Sequence, residues 1–490
     1  MFFIYISNGG HTIMSNAAQS KAAARIESLL DANSFVEIGA AVTARSTDFN
    51  ITENKAPSDG VITGYGLIAG NPVYVYSQDA SVLGGSVGEM HARKITRLYD
   101  QARKTGAPII GLVDCSGIRL QEATDALEAF GSIYMKSALA SGIIPQITGI
   151  FGTCGGAMAV LSAMTDFTFI EEKNGRMFVN TPNALEGNHV SKCDTASAEF
   201  RSAETGIVDG CGSEEEVIEK IRGLVSLLPS NCEDESFEEC TDDLNRTVDD
   251  IEACISDASL ALSRIADNQD FFETCPAYGK DMVTGFMRLN GAVVGAVANR
   301  SVIFDEEGKE AETFDGTISA RGAKKAASFV KFCDAFDIPV LTLTNACGFK
   351  ATVCTEKNIA AAAASLVRAF ADATVPKVNV ITGKAYGSAY IVMNSRSLGA
   401  DAIFAWDNAE VGMMDAQMAA KIMYADADAA TQREKAAEYQ ALQSGISSAA
   451  ARGYVDTIIA PADTRKHVIA AFEMLYTKTE DRPAKKHSSV

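Results

Sequence analysis

The 490-residue chain holds one Trp, five His and 11 Pro, and its positive charge falls well short of its negative. With 43 Lys and Arg against 63 Asp and Glu, the formal net charge is −20. That balance excludes a general affinity for nucleic acid or an anionic membrane, although a phosphate-bearing ligand needs only a local basic patch. The 11 Cys include no CxxC pair, and Cys347 and Cys354 stand near no clustered His, so no zinc ribbon and no metal are expected. Buried free thiols in a reducing cytoplasm are the expectation. A nucleophile elbow, an HExxH pair and a Walker loop are all missing, and His91, His189 and His467 lack a partnered Ser, Cys or Asp in a recognisable motif. The apolar opening MFFIYISNGGHTI is too short to span a membrane and has no basic n-region. Residues 1–14 read as a disordered extension, with Met14 the better start.

What is present is glycine, aliphatic strand patterns and an internal echo. Ala17–Leu30 has helical spacing, and Asn54–Gly60 is a polar loop. Val61–Ile68 and Pro72–Gln78 alternate like paired strands about Ala69-Gly70-Asn71, a helix rich in Lys and Arg follows over Ser86–Lys104, and Pro108–Val113 and Ile144–Phe151 are buried-strand runs. The order then recurs: a strand pair at Thr284–Leu289 and Val293–Asn299, a basic helix at Ala320–Phe336, and strands at Val340–Thr344 and Lys377–Ile381. Pro108 and Pro339, Pro145 and Pro376, Gly152 and Gly383, and Gly156 and Gly387 all lie 231 residues apart, and Asp114 maps onto Asn345 by the same shift. Gly and Pro occupy geometrically demanding positions, so a shared offset predicts an internal duplication of one α/β unit. The expected division is an N-terminal domain over 15–230, an acidic, solvated linker over 231–250, a C-terminal domain over 251–480 and a frayed tail over 481–490.

Two stretches carry the chemistry. In ITGIFGTCGGAMAV (Ile147–Val160) and VITGKAYGSAYIVM (Val380–Met393) an apolar strand meets a glycine turn and then a helix start. Gly156 and Ala157 in the first, and Gly387, Ser388 and Ala389 in the second, can present backbone N–H groups without bulk in the way. Such turns suit developing negative oxygen, as in enolate chemistry on a thioester that needs no protein nucleophile. The competing reading is that the glycines only permit tight strand–helix packing, and duplication alone would preserve that too. Asp166 and Asp401 follow the turns by unequal spacings and are expected to be structural.

The stretches VYVYSQDASVLGGSVGEMHARKI, GAPIIGLVDCSGIRLQE, SGIIPQITGIFGTCGGAMAVLSAMTDFTF, FVKFCDAFDIPVLTLTN and ATVPKVNVITGKAYGSAY resemble the carboxyltransferase subunits of biotin-dependent acyl-CoA carboxylases and decarboxylases, from about Arg25 to Tyr476. The resemblance implies two crotonase-like β-β-α superhelix domains, a hexamer, and an active site between the N half of one subunit and the C half of another. It implies acyl-CoA on the N half and, on the C half, biotin borne by a carrier protein. Biotin carboxylase or membrane decarboxylase subunits would be further partners. In such enzymes carboxybiotin releases CO2 and the ureido nitrogen removes the α-proton. Carried over by position, the thioester oxyanion hole falls on Gly156 and Ala157 and the biotin-side hole on Ser388 and Ala389. Gly117, Arg119 and Gly155 fall in the acyl-CoA pocket, and Gly348, Phe349, Gly387 and Ile391 in the biotin-side pocket. Arg93 and Lys94, with Arg97 on the same helix, are candidates for the CoA phosphates. No Met-Lys-Met biotinylation motif occurs in this sequence, so a carrier on a separate chain is expected.

The sequence also departs from the family. DSGGAR becomes Asp114-Cys115-Ser116-Gly117-Ile118-Arg119, and DxPGFxPG becomes Asn345-Ala346-Cys347-Gly348-Phe349-Lys350-Ala351-Thr352, without either proline. Ala157 and Ser388 replace glycines, SGVAH reads Thr205-Gly206-Ile207-Val208-Asp209, and Ile391 stands where many propionyl-CoA enzymes carry Asp. A short acyl-CoA, propionyl or methylmalonyl, is the favoured substrate, with net direction open. Two alternatives remain. One is a scaffold subunit that has lost turnover through the altered Cys347–Thr352 loop. The other is a simple hydratase or isomerase, which would need a Glu nearer a turn than Glu171 or Glu172.

Overall fold

The computed structural model describes residues 20–45, 56 and 58–481. The predicted extension over 1–14 lies outside the described residues, as do 482–490 of the predicted tail. Two compact units account for the chain: Met1–Ala198 with Cys211–Ser226, and Glu199–Gly210 with Leu227–Val490. Residues 199–210, assigned by sequence to the first domain, therefore group with the second unit, where Arg321 pairs with Glu204 at 2.6 Å and Cys275 N–H donates to the Asp209 carbonyl at 3.0 Å.

The first unit is built on an eight-stranded sheet of β1 (Val36–Glu37), β2 (Val61–Ile68), β3 (Asn71–Gln78), β4 (Ile109–Cys115), β5 (Gln146–Gly155), β6 (Phe167–Glu171), β7 (Arg176–Phe178) and β8 (Gly210–Gly212). Its order is β1-β2-β3-β4-β5-β6-β8, with β7 paired to the far end of β5. The hairpin β2–β3 is antiparallel, and β3 through β6 run parallel with helices between them. Parallel strands are covered on both faces, which is why Ile109, Ile110, Leu112 and Val113 form an unbroken apolar run.

The second unit is built from β9 (Phe271–Thr274), β10 (Met282–Leu289), β11 (Ala292–Asn299), β12 (Val302–Phe304), β13 (Glu310–Thr313), β14 (Thr317–Ile318), β15 (Val340–Ala346), β16 (Gly348–Phe349), β17 (Lys377–Tyr386), β18 (Ala402–Trp406), β19 (Glu410–Gly412) and β20 (Thr457–Ile459). Its main sheet has the order β20-β18-β17-β15-β11-β10-β9, with β19 paired to β17. The sequence of pairings repeats that of the first sheet, strand for strand.

The repetition extends to side chains. Asp114 Oδ1 accepts the Thr153 N–H at 3.2 Å, and Asn345 Oδ1 accepts the Lys384 N–H at 3.0 Å. A Cβ on Gly152 would stand 2.2 Å from Asp114 Oδ1 and one on Gly383 2.6 Å from Asn345 Oδ1, so both glycines are fixed by the same close approach. Asp166 and Asp401 are structural, each accepting the N–H that opens the neighbouring strand, at Gln146 and Lys377, at 2.8 Å. An arginine closes each unit. Arg222 donates to Asp31 Oδ1 at 2.8 Å and to the Leu29 carbonyl, and Asp31 accepts the hairpin N–H of Gly70 at 2.9 Å. Arg465 donates to Asp267 Oδ1 and the Ile265 carbonyl, both at 2.6 Å, and Asp267 accepts the hairpin N–H of Gly291 at 2.8 Å.

The two units differ in the lengths of several connections, one of them next to the hairpins. Gly70 and Gly291 lie 221 residues apart, whereas the basic helices and the strand pairs β4/β15 and β5/β17 lie 231 apart. The ten extra residues fall between β11 and the helix Ala320–Ala335, where the exposed antiparallel hairpin β12–β13 stands.

The acidic stretch 231–250 is mostly exposed, as its composition suggests, but it is also docked on the second unit. Phe237 bridges Ala292 at the β10–β11 hairpin, Glu238 N–H donates to the Gly291 carbonyl at 3.0 Å, and Asp242 takes Arg246 at 2.9 Å and Arg465 at 3.4 Å. Backbone pairing and two arginines offset the mutual repulsion that composition alone would weigh. The cysteines also depart in part from expectation: all are free, Cys115, Cys154 and Cys333 are buried, but Cys347 and Cys354 are exposed. Among the described residues no helix is long and apolar enough to cross a membrane.

Candidate functional site

In each unit the loop after one parallel strand meets the helix start after the next. In the first, β5 ends at Gly155, Gly156 turns the chain at φ 57°, and Ala157 opens the helix Ala157–Ser162. That φ favours glycine, and a Cβ at Gly156 would meet nothing within 4 Å, so the position faces open space. Ala157 keeps the ordinary negative φ, so the alanine in place of glycine costs no donor. Gly117 lies beside this turn, its Cβ position 3.4 Å from the Gly155 carbonyl oxygen. In the second unit Gly387 turns at φ 58°, and the helix Gly387–Val392 carries Ser388 exposed, Ala389 buried and Ile391 43 % exposed. Gly348 and Phe349 form β16, which pairs in parallel with β14.

The first turns of these helices hold N–H groups that no intrahelical carbonyl can reach. One expected donor is already engaged, because Gly156 N–H donates to the Phe178 carbonyl at 2.8 Å. The donor that the helix start leaves for a ligand is therefore Ala157 rather than Gly156. Tyr134, which sequence reasoning passed over, donates its hydroxyl to the Ala157 carbonyl at 2.8 Å, and its ring lies edge-on to Phe130 at 5.1 Å. Nothing local in sequence marks it, since the contact spans 23 residues.

The altered loop of the second unit has a physical account. Cys347, standing where the family has proline, donates its N–H to the Gly316 carbonyl at 2.9 Å, a bond proline could not make. Thr352, at the place of the family's final glycine, caps the helix Val353–Glu356 by accepting the Thr355 N–H at 3.1 Å. The loss of the first proline is thus matched by a ladder bond and that of the final glycine by a cap.

Three of the expected ligand contacts need correction. Arg119 is buried, with Nη1 at 2.6 Å from Asp59 Oδ1 and 2.8 Å from Glu122 Oε1, and Nη2 donating to the Ser86 carbonyl at 2.7 Å. A guanidinium so enclosed cannot contact an acyl-CoA in the pocket where its motif position put it. It instead anchors the Gly117 loop, since Arg119 N–H donates to Val87 and Val87 N–H donates to Gly117, both at 2.9 Å. Lys94 is likewise buried, its ammonium donating to the Ser58 hydroxyl and the carbonyls of Ser58 and Val61. Lys325, its counterpart 231 residues on, donates to the carbonyls of Cys275, Tyr278 and Met282 at 2.8, 3.1 and 2.9 Å. Burial pushes both ammonium groups down to about 8. Arg93 is exposed but pairs with Glu89 at 2.6 Å, in a cleft where Glu89, Asp125 and Glu128 outnumber Arg45 and Arg93. Such a cleft repels a phosphate.

Beneath the Gly117 loop, His91 uses both ring nitrogens. Nδ1 lies 2.9 Å from the Asp59 carbonyl and Nε2 lies 3.1 Å from Gln78 Nε2, so Nδ1 carries the proton and Nε2 accepts. Burial, then the Arg119 charge, push the imidazole down to about 3 from 6.5. The unfolded chain therefore binds a proton that the fold refuses between those values, and stability present above pH 6.5 is lost as pH falls toward 3. Urea midpoints measured at pH 7.5, 6 and 4.5 are expected to fall less steeply in His91→Gln, which keeps a donor and an acceptor but cannot titrate. Equal slopes would refute this assignment.

Comparison with known proteins bears on the same residues. The carboxyl transferase domain family matches residues 16–490. The chain is 38% identical over 485 residues to the methylmalonyl-CoA decarboxylase subunit alpha of Propionigenium modestum, covering 95% of this chain and 92% of that one. It is 37% identical over 481 residues to the propionyl-CoA carboxylase beta chain of Roseobacter denitrificans, with the same coverage. Among solved structures it is similar to the transcarboxylase 12S hexamer core with hydrolysed methylmalonyl-coenzyme A bound, at TM-score 0.89 and 36% identity, over 96% of this chain and 92% of that one. By fold, by the paired glycine turns and by these matches, the chain belongs to the carboxyl transferase domain family.

Proposed function

We propose that the chain moves a carboxyl group between biotin on a separate carrier protein and the α-carbon of a short acyl-CoA, with propionyl- and methylmalonyl-CoA favoured. The carrying observation is the pair of equivalent helix starts, each with N–H groups left for a ligand and each beside a glycine loop. On the first, the Ala157 N–H donates to the thioester oxygen and strengthens that bond as charge moves onto the oxygen. Gly117, Gly155 and Gly156 leave room for the thioester to approach the backbone.

The second turn fits the ureido ring of biotin. A ureido oxygen is a neutral acceptor that needs N–H donors rather than a cation, and Ser388 and Ala389 sit in a helix's first turn with Ser388 exposed. Bound there, biotin supplies the ureido nitrogen that carries the carboxyl group and accepts the substrate's α-proton. Gly348, Phe349 and Ile391 form the walls, and Gly387 sets the approach. Substrate-borne proton transfer accounts for a site read without a protein base.

The two units are read as a duplicated crotonase-like β-β-α superhelix, supported by matching strand order, paired lysines and paired arginine closures. Copies of the chain are read as assembling into a hexamer. In support, Met413, Met418, Ile422, Met423 and Leu442 are each about 60 to 70% exposed in the second unit, as apolar area that a second copy could cover. A biotin carboxyl carrier protein, with biotin carboxylase or membrane decarboxylase subunits, completes the proposed assembly, which works in the cytoplasm.

The test is carboxyl transfer by the full chain from malonyl-, methylmalonyl- or glutaconyl-CoA to free biotin, with oligomer mass followed by light scattering. Turnover is expected to be greatest with methylmalonyl-CoA. An assembled hexamer inert toward all three would instead establish the scaffold reading.

A further inference from the structure

The two turns are equivalent in backbone but are held differently. Gly155 on β5 and Phe178 on β7 are register partners, and Tyr386 on β17 and Gly412 on β19 occupy the matching places. Large and small residues have changed strands. In the first unit the Phe178 ring comes within 3.4 Å of where a Gly155 Cβ would stand, so the aromatic lies across from the turn. In the second the ring belongs to the residue directly before the turn, and it carries a hydroxyl.

That hydroxyl begins a chain of hydrogen bonds. Tyr386 is 3% exposed and donates its O–H to Glu410 Oε2, while Gln440 Nε2 donates to Glu410 Oε1 at 2.7 Å. Gln440 opens the π-helical turn Gln440–Ser444, and Gly445 directly after it bridges back to Glu410. At the place of Glu410 the first unit has Arg176, whose nearest carboxylate, Asp194, is 3.8 Å away. Burial, then the Glu410 contact, hold the phenol proton well above its usual range, so Tyr386 stays a donor at any working pH. A bond from a hydroxyl to a carboxylate is about twice as strong as one between neutral groups. The helix Gly387–Val392 is only six residues long, so its placement depends on outside contacts more than on its own hydrogen bonds.

We propose that the Tyr386–Glu410–Gln440 chain is the positioning device of the second turn, fixing the residue before Gly387 so that the Ser388 and Ala389 amides keep their aim at the biotin ureido oxygen. The inference rests on the biotin-side reading of this turn. Tyr386 and Glu410 act through the backbone and are positioning residues, not catalytic ones. The first turn is braced from another direction, by Tyr134 at the Ala157 carbonyl, and position 365, where a counterpart to Tyr134 would stand, is Ser365.

The test uses the full-length chain, free biotin and methylmalonyl-CoA. Tyr386→Phe keeps the ring and removes the donor, and is expected to lower kcat for biotin carboxylation about 10-fold with KM for biotin within about twofold, since lost aim costs transition-state contacts first. The Kd for methylmalonyl-CoA by calorimetry and the melting temperature should not move. Glu410→Gln should lose less, and the double variant no more than Tyr386→Phe, because all three break one interaction. Full kcat in Tyr386→Phe, losses that multiply in the double variant, or a parallel loss of acyl-CoA binding and melting temperature would each overturn the proposal. Ser388→Pro separates the layers. If it leaves biotin carboxylation intact, the biotin-side reading itself fails. If it abolishes transfer while Tyr386→Phe does not slow it, only the positioning role fails.

Discussion

Replacing Ala157 with proline is expected to lower acyl-CoA turnover by about 10²–10³-fold, the loss seen when one oxyanion donor is removed. The argument depends on where Ala157 sits. As the first residue of the helix Ala157–Ser162 its N–H has no intrahelical partner, so proline there breaks no helix bond, and its fixed φ suits the position. The variant should fold, melt near the parent and keep its oligomeric mass. Steady-state kinetics with methylmalonyl-CoA and free biotin would report the loss in kcat more than in KM, because the donor matters most when charge has moved onto oxygen. Near-normal kcat would place the thioester elsewhere. Gly156 offers a contrast, since its N–H already serves the Phe178 carbonyl and its loss would act through the turn.

Replacing Arg119 with methionine is expected to cost about 3–5 kcal/mol of stability, the range for breaking a buried ion pair from one side. Asp59 and Glu122, both with side chains 0% exposed, would lose their shared cation. Part of each carboxylate would stay satisfied: Asp59 Oδ2 accepts the His91 N–H at 2.7 Å and Glu122 Oε2 the Glu89 N–H at 2.6 Å. Denaturant unfolding measures the loss. If Arg119 instead contacted the acyl-CoA, the variant would unfold at the parent's midpoint and show only a raised KM for acyl-CoA. The two outcomes do not overlap.

The contrast between these residues shows how far sequence carries. Glycines and prolines announce backbone geometry directly, so the turns at Gly156 and Gly387, both strand pairs and the common offset could be read without coordinates. Arg119 lies in a family-like motif, and nothing in a single sequence distinguishes an exposed arginine from one paired with Asp59, 60 residues away. Lys94 is different, because a signal was available. Lys325 falls at the same 231-residue offset as the glycines, and two lysines preserved together on basic helices suggest buried anchors more than ligand contacts. Composition marks the acidic stretch as exposed, which it mostly is, but cannot show where it docks, which Phe237 and the arginines facing Asp242 set. Tyr134 and Glu410 were invisible for a simpler reason: each acts across elements that only folding brings together.

The arginine closures also bear on how such a chain can arise and be rearranged. Arg222 and Arg465 each tie their unit's last long helix to the end of its first, so where a unit's chain enters and where it leaves are neighbours. A gene segment encoding such a unit can be copied in tandem with only a short join, because the second copy starts where the first finishes. The same closeness makes each unit a candidate for circular permutation, with new ends opened at the exposed tip of the β12–β13 hairpin, a connection the first unit makes with ten fewer residues.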